Sequence, residues 1–201
     1  MKVRLYATTL AIFATAATAP IAYAQASPTA TQALQLSVFG AGTGTYTGLH
    51  GGRNLGVTAG ADLGFHSFRG WFYPSLEIRG TYPFVTGQVV SNKNILGGIK
   101  FERYYGRFRP YADILYGRAE THFESGGFPN PEINFIYTKT PANVLSPGVG
   151  VGVTLTDHFA LKADFQFQRY ATPVTTSRRA YAKPLTLGVV YRFNFNRQHP
   201  R

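Results

Sequence analysis

The chain has 201 residues and no cysteine, and its 20 lysines and arginines against 9 acidic residues give a formal net charge of +11. Without cysteine, disulfides, cysteine-ligated metals and thiol redox chemistry are excluded. Charged residues make up only 14% of the sequence, against roughly 25% in an ordinary soluble domain. The basic residues are scattered, without a basic helix or a zinc-finger spacing, so the sequence argues against nucleic-acid binding despite its positive charge.

The first 24 residues have the pattern of a secretory signal peptide. Lys2 and Arg4 form a positive start, residues 10–19 form an apolar run, and Ala22-Tyr23-Ala24 is an A-x-A-type cleavage site. An N-terminal membrane helix is the alternative, but the apolar run is shorter than the ~20 residues that a span needs. We therefore expect an exported protein that is cleaved after Ala24, with residues 25–33 as a short periplasmic leader.

From residue 34 onward, apolar and polar residues alternate with the period of two that is typical of β-strands. The stretch VGVGVTLTDHFALKADFQFQRY is the clearest case, because Val, Leu, Ala and Phe occupy one parity and mostly Gly, Thr, Lys, Asp and Gln the other. The predicted strands comprise residues 34–46, 54–66, 71–82, 93–105, 108–120, the two halves of 149–170, and 184–195. Eight strands without a helical pattern predict an all-β sandwich or barrel.

Short and long predicted connections alternate along the chain. The short connections are SFRG, GR and TD, and the long ones are TGLHGGR, PFVTGQVVSNK, residues 121–146 and ATPVTTSRRAYAK. In an up-and-down meander, this alternation puts all the short turns at one end and all the long loops at the other. Transmembrane barrels have this arrangement, with short periplasmic turns and long extracellular loops.

The composition of the two strand faces predicts which face meets lipid. A soluble barrel of the lipocalin type would carry many Lys and Glu on its polar, outer face, whereas this polar face carries mainly Gly, Thr, Asn, Gln and Ser. Phe72 and Tyr82 bracket the third strand, ten residues apart, or roughly 25 Å along a tilted barrel. That height matches the apolar band between the aromatic girdles of an outer-membrane barrel.

The predicted girdles consist of aromatic residues on the apolar face of the strands. Those at the short-turn end are Phe65, Phe72, Tyr105, Phe108, Phe159, Phe193 and Phe195, and those at the long-loop end are Tyr46, Tyr82, Tyr116 and Phe167. We therefore expect the apolar face to look outward into lipid, where every backbone N–H and C=O must be paired and only a helix or a closed barrel satisfies them.

The signal segment, the stretch GVGVGVTLTDHFALKADFQFQRY and the last strand LTLGVVYRFNF resemble the OmpA-like and OmpX-like eight-stranded β-barrel domains of Gram-negative outer membranes. The resemblance implies an eight-stranded antiparallel up-and-down transmembrane barrel over residues 34–195, with a short tail at 196–201. It also implies that Tyr191, Phe193 and Phe195 form the assembly signal read by the barrel-insertion machinery, after delivery by periplasmic chaperones. A monomer in contact with outer-membrane lipid is expected.

The inward parity carries a charge network of five acids and four bases. Its members are Asp62, Glu77, Arg79, Lys100, Glu102, Asp113, Lys162, Asp164 and Arg192. A narrow pore and a salt-bridged plug both fit this set. The plug is favoured because eight strands enclose a lumen that side chains just fill, and Lys100 is predicted to face Asp113 across the fourth and fifth strands and to pair with it.

Neither catalysis nor a metal site is predicted, and no cofactor is expected. The adjacent His66 and Ser67 lie at a turn, where neighbouring side chains point apart and do not form a nucleophile–base pair. No His/Asp/Glu cluster has metal-ligand spacing. Arg178, Arg179 and Lys183 in the last long loop suggest contact with lipopolysaccharide phosphates, or else a solvated loop. The sequence thus predicts a structural or surface-interaction role, with a narrow passive channel next and a lipid-modifying enzyme last.

Overall fold

The computed structural model describes residues 34–48, 52–65, 72–85, 90–123, 127–129, 136–172, 175 and 177–193. Most of these residues form one closed barrel of eight antiparallel strands in chain order, and Phe128–Pro129 pairs with Ile136–Tyr137 in a separate two-stranded sheet. The strands are β1 (Leu34–Tyr46), β2 (Arg53–Phe65), β3 (Tyr73–Val85), β4 (Val90–Glu102), β5 (Phe108–Phe123), β6 (Lys139–Thr154), β7 (Phe159–Gln166 and Gln168–Ala171) and β8 (Arg179–Arg192). The predicted signal peptide, leader and tail lie outside the described residues.

Each strand pairs with its sequence neighbour, and β1 closes the barrel against β8, from Ser37 opposite Arg192 to Tyr46 opposite Lys183. Closure pairs the backbone groups of both edge strands, which is what a barrel in lipid requires. The eight-stranded up-and-down architecture predicted from the sequence is therefore confirmed. None of the described residues forms a helix long and apolar enough to cross a membrane.

Two prolines account for local irregularities in the ladder. At the β2–β3 pair the register shifts between Leu55 and Gly56, so that Gly56 lies opposite Pro83 and Leu55 opposite Val85. A bulge of this kind tolerates a proline, because the missing N–H interrupts pairing there in any case. The break in β7 falls at Phe167, whose N–H donates to the Pro147 carbonyl at 2.8 Å. Pro147 has no backbone N–H and so cannot donate the second hydrogen bond of a regular ladder pair.

Several strands extend beyond their predicted limits at the long-loop end, here called the loop end. β3 runs to Val85 and β4 starts at Val90, so the predicted loop PFVTGQVVSNK is wrong in extent. β5 and β6 run from Phe108 to Phe123 and from Lys139 to Thr154, which corrects the predicted loop of residues 121–146. β8 starts at Arg179 rather than 184. The opposite end, called the turn end, holds both barrel termini.

The exterior of the barrel is apolar, as the sequence predicted. Large hydrophobic side chains such as Ile78, Ile95 and Ile114 are more than half exposed. The described aromatics of the predicted girdles, apart from Phe193, are exposed large side chains, and Phe84 and Tyr181 add two that were not predicted at the loop end. An exposed apolar wall over the full height of the strands fits lipid surroundings rather than water.

Candidate functional site: the sealed lumen

Arg79 on β3 is the centre of a buried charge cluster in the lumen. Its guanidinium contacts Glu77 on the same strand, donates to Asp164 at 2.8 Å, and reaches Asp113 at 3.2 Å. Alternation along β3 points residues 77 and 79 to the same side, and the narrow barrel brings β5 and β7 within reach of that side. The three carboxylates thus share one planar donor with five N–H groups.

Two lysines complete the cluster on the other side of Glu77. Lys100 Nζ lies 2.7 Å from Asp62 and 2.9 Å from Glu102, and Lys162 Nζ lies 3.1 Å from Glu77. We call Asp62, Glu77, Arg79, Lys100, Asp113, Lys162 and Asp164 the charged layer. All seven residues are buried, with exposed fractions of 5% or less.

The predicted ion pair between Lys100 and Asp113 is wrong, although the two residues do lie opposite each other in the β4–β5 register. Lys100 reaches instead toward Asp62 on β2, and Asp113 is held by Arg79 and by Gln166, whose amide donates to it at 2.9 and 3.0 Å. Long side chains in a narrow lumen cross the barrel axis, so the nearest residue in register is not the obligatory partner.

Two aromatic rings pack against the charged layer inside the barrel. Phe39 of β1 lies inside the barrel, with Lys162 Nζ 3.8 Å from its ring centroid, a cation–π distance. Tyr111 donates its hydroxyl to Asp164 at 2.8 Å. Glycines leave room for these rings, because a Cβ at Gly60 would overlap Phe39 and one at Gly150 would overlap Tyr111.

An apolar layer, not predicted from the sequence, lies inside the barrel on the loop side of the charged layer. It consists of Leu96, Leu115, Ala119, Phe123, Ala142, Val144, Tyr170, Ala180 and Ala182. Leu96 lies opposite Arg79 in the register of β3 and β4, so the two layers adjoin. The signal in the sequence is the shared parity of Asp113 and Leu115 on β5, which puts a large apolar residue on the inward face.

Threonine hydroxyls link four strands across the part of the lumen that the apolar layer does not fill. Thr43 lies 2.6 Å from Thr58 and 3.0 Å from Thr186, and Thr58 lies 2.9 Å from Thr81, measured between Oγ1 atoms. These residues stand on β8, β1, β2 and β3. These four threonines therefore provide hydrogen-bond partners for one another inside the barrel, as buried polar groups require.

A cavity of about 170 Å³ opens at the turn end, below the charged layer. Glu102, Arg192 and Arg109 line it, and Arg109 is an inward base that the sequence analysis did not include. Arg109 donates to the Tyr104 hydroxyl at 3.2 Å, and burial raises the pKa of Tyr104, which stays a neutral phenol. Arg192 donates to Thr154 at 3.2 Å. With Arg109 added, the five inward acids face five bases.

Of the other predicted residues, the structure describes Tyr191 and Phe193, which pack against each other at the turn end. Tyr191 is on β8, and its ring packs edge-on against Phe159 and Phe193 at 5.3 and 4.9 Å. The Phe193 N–H donates to the Leu36 carbonyl at 3.0 Å, which extends the β1–β8 seam by one bond. Phe195 lies outside the described residues, as do His66 and Ser67. Within the described part of the chain, no group of three or more metal-binding side chains is present.

The three bases predicted to contact lipopolysaccharide lie at the loop end. Arg178 is in the turn before β8, with a φ of 52°. Arg179 and Lys183 are not loop residues as predicted, because β8 already includes them. Both side chains are exposed, and the alternation of β8 points them outward rather than into the lumen.

No protein-family model and no curated protein matches the sequence. Among solved structures, Neisserial surface protein A superposes with a TM-score of 0.53 at 13% identity, over 80% of this chain and 97% of that chain. Ail of Yersinia pestis, solved with the heparin analogue sucrose octasulfate, gives a TM-score of 0.47 at 14% identity over 80% and 97%. A major outer membrane protein of Thermus thermophilus gives 0.46 at 14% over 80% and 100%.

The similarity to Neisserial surface protein A extends over nearly all of that chain and concerns the fold. The present barrel adds an exposed apolar wall and an ion-paired interior, which is the distribution expected in lipid. The chain therefore has the fold of the small eight-stranded outer-membrane β-barrels, and it lies in the bacterial outer membrane.

Proposed function

We propose that the protein is a non-conducting outer-membrane barrel with a structural or surface-contact role, whose loop end faces the outside of the cell. The observation that carries the proposal is the filled lumen. The charged layer consists of residues that are at most 5% exposed, and the apolar layer adds a second barrier containing Leu115 and Val144, both fully buried. Ions would have to displace paired charges and then cross an apolar constriction.

A planar-bilayer recording of the purified protein tests the closed state. We expect no steady conductance above that of a protein-free bilayer, with a known porin reconstituted in the same way as a positive control. The competing function is a narrow passive channel, and the turn-end cavity that reaches Lys100 and Lys162 is the feature that favours it. Steady single-channel steps from the unmodified protein would establish the channel and contradict the plug.

The orientation can be tested separately, because the chain contains no cysteine. Ser177→Cys places a thiol in the exposed turn before β8, and Asp157→Cys places one in the exposed turn between β6 and β7. We expect a maleimide too large to cross the outer membrane to label the first variant in intact cells and the second only after lysis. The reverse pattern would contradict the proposed orientation.

The surface-contact role rests on the loop end. The connection between β5 and β6, residues 124–138, is the longest between any two strands of the barrel, and the exposed bases Arg178, Arg179 and Lys183 lie at the same end, on or just before β8. We propose that these bases contact lipopolysaccharide phosphates.

Replacing residues 124–138 with a short turn should leave the barrel folded, as judged by slower migration of the unheated protein, and abolish binding of the cells to their surface partner.

A further inference from the structure

Charged side chains on the outer wall of the barrel are distributed very unevenly. Among the described strand residues, those that point outward all lie toward the loop end. The bases are Arg53, Lys93, Arg118, Lys139, Arg169, Arg179 and Lys183, and the single acid is Glu120. We call these seven bases the basic belt. Seven bases against one carboxylate, immediately above an apolar wall, complement a membrane surface that carries phosphate groups.

A groove of about 520 Å³ crosses this region of the wall on β3, β4, β5 and β6. Its lining includes Gly80, Tyr82, Ile95, Arg118 and Pro141. Gly80 points outward and opens the groove, because a Cβ built there would have no neighbour nearer than the Asn94 carbonyl oxygen at 3.8 Å. A narrow apolar furrow in the lipid-facing wall is of the size and polarity that an acyl chain fills.

Arg118 is the base best placed to hold a phosphate above this groove. It lies opposite Ile95 in the β4–β5 register, two residues beyond the girdle residue Tyr116, which places it roughly 5 Å above the girdle. In the described part of the chain, no carboxylate lies within ion-pair distance of Arg118, whereas Lys93 is held by Glu120 at 3.2 Å. A guanidinium at headgroup depth can bind phosphate with two parallel N–H donors.

We propose that Arg118 and the Gly80 groove form a binding site for a phosphorylated glycolipid of the outer leaflet. Arg118 binds a phosphate of the headgroup, Lys93 lies beside it, and one acyl chain lies along Gly80 and Ile95. The site rests on the proposed orientation, and it is separate from the contact proposed for Arg178, Arg179 and Lys183, because those bases stand on or before β8. The belt makes lipid binding a property of the barrel wall as well as of its loops.

The site is tested by native mass spectrometry of protein extracted from the outer membrane in mild detergent and titrated with purified diphosphoryl lipid A. For Arg118→Gln we expect the dissociation constant to rise by about tenfold or more, the size of a lost charge-assisted hydrogen bond. For Gly80→Leu we expect a rise of severalfold, because the new side chain fills the groove without meeting the backbone. The fully dephosphorylated lipid should bind weakly and to the same extent in unmodified protein and Arg118→Gln.

Two matched controls keep the outcome specific. Arg107→Gln removes the same charge from an exposed turn at the other end of the barrel. Gly42→Leu adds the same side chain to the outward face of β1, where nothing lies within 4 Å. Both should bind lipid A as the unmodified protein does. Equal affinity in all variants would overturn the site, and so would equal binding of phosphatidylglycerol with the same dependence on Arg118. Neither result bears on conductance or on cysteine labelling, which test the proposed function independently.

Discussion

At the scale of single residues, Arg79 is the shared ion-pair partner of three lumen carboxylates, Glu77, Asp113 and Asp164. Arg79→Met keeps much of the volume and removes the charge. Three buried carboxylates then lose their common partner, and we expect the free energy of unfolding to fall by about 3–5 kcal/mol, as for other broken buried ion pairs. Urea unfolding of the barrel in lipid vesicles, followed by Trp71 fluorescence or by migration of unheated samples, measures the change.

The exposed pair of Lys93 and Glu120 is the matched comparison, with a nitrogen–oxygen distance of 3.2 Å but side chains that are 42% and 34% exposed. Lys93→Met should cost less than about 1 kcal/mol in lipid A-free vesicles, because exposed pairs contribute little. If Arg79→Met were no more destabilising than Lys93→Met, the charged layer would not be a structural plug.

Close packing in the lumen can be tested at Gly150 on β6. A Cβ at this position would overlap the Tyr111 ring and the Ala163 carbonyl oxygen, and moving the ring away would break its hydrogen bond to Asp164. We expect Gly150→Ala to destabilise the barrel by about 1–3 kcal/mol, the usual cost of overpacking.

Gly152 is the control for that substitution, since it is on the same strand and the same face. A Cβ there would have its nearest neighbour, the Arg109 Cβ, at 3.6 Å, which is an ordinary contact. Gly152→Ala is expected to change the free energy of unfolding by less than about 0.5 kcal/mol. Similar effects at both positions would mean that the Tyr111 ring does not limit the space.

Residue parity in the sequence was enough to assign residues to the inside of the barrel, but not to assign their partners. The nine predicted network residues follow from alternation along each strand, and the structure points their side chains inward. Partners depend on the width of the lumen and on how far a side chain reaches across it, which no local pattern contains. Arg109 shares the parity of Asp113 and was predictable in principle, whereas the pairing of Lys100 with Asp62 was not.

At the scale of the strands, their number and order were predictable, and several of their ends were not. Pro83 and the single glycine and polar residues that follow it in PFVTGQVVSNK are typical of a loop. The neighbouring strand β2 nonetheless continues the ladder past Pro83 through a bulge. β5 and β6 likewise stabilise each other as a long hairpin, from Phe108 opposite Val153 to His122 opposite Lys139. Pairing between strands therefore overrides the local turn signals, as tertiary context commonly does.

The last strand supports a prediction about assembly, because β8 closes the barrel and ends in the aromatic residues Tyr191 and Phe193. If these residues are read by the insertion machinery, Phe193→Ala should lower the fraction of protein that is inserted in the outer membrane of living cells. The same variant should refold in detergent nearly as well as the unmodified protein, because Phe193 is only partly buried and lies just beyond the end of β8.

Phe108→Ala is the matched control for assembly, because Phe108 is also a turn-end aromatic, 58% exposed, but on β5. Membrane fractionation followed by electrophoresis of unheated samples measures folded, inserted protein for both variants. Equal losses would show that the girdle as a whole matters and that the end of β8 carries no particular signal.

At the scale of the whole molecule, the distribution of polarity is the reverse of that in a soluble protein, except that an apolar layer also lies inside the barrel. The exterior wall is apolar, and the interior combines a charged layer with an apolar layer. Among the strand residues that the structure describes, outward charges lie only toward the loop end, where the basic belt is. The sequence predicted the reversal through its aromatic residues and its lack of surface charge. The inner apolar layer was missed because a rule of apolar outside and polar inside leaves no place for it.

A lipid-facing wall makes a quantitative prediction that depends on depth. Ile78 and Phe84 both point outward on β3 and are almost equally exposed, at 55% and 58%, but Ile78 lies near the middle between Phe72 and Tyr82 while Phe84 lies beyond Tyr82. In lipid vesicles, Ile78→Lys should lower the free energy of unfolding by about 2–4 kcal/mol, and Phe84→Lys by about 0–1 kcal/mol. In water, equally exposed positions would tolerate lysine equally. The difference between the two variants in the free energy of unfolding therefore measures the effect of the membrane. Equal, small effects at both positions would place this wall outside the hydrocarbon.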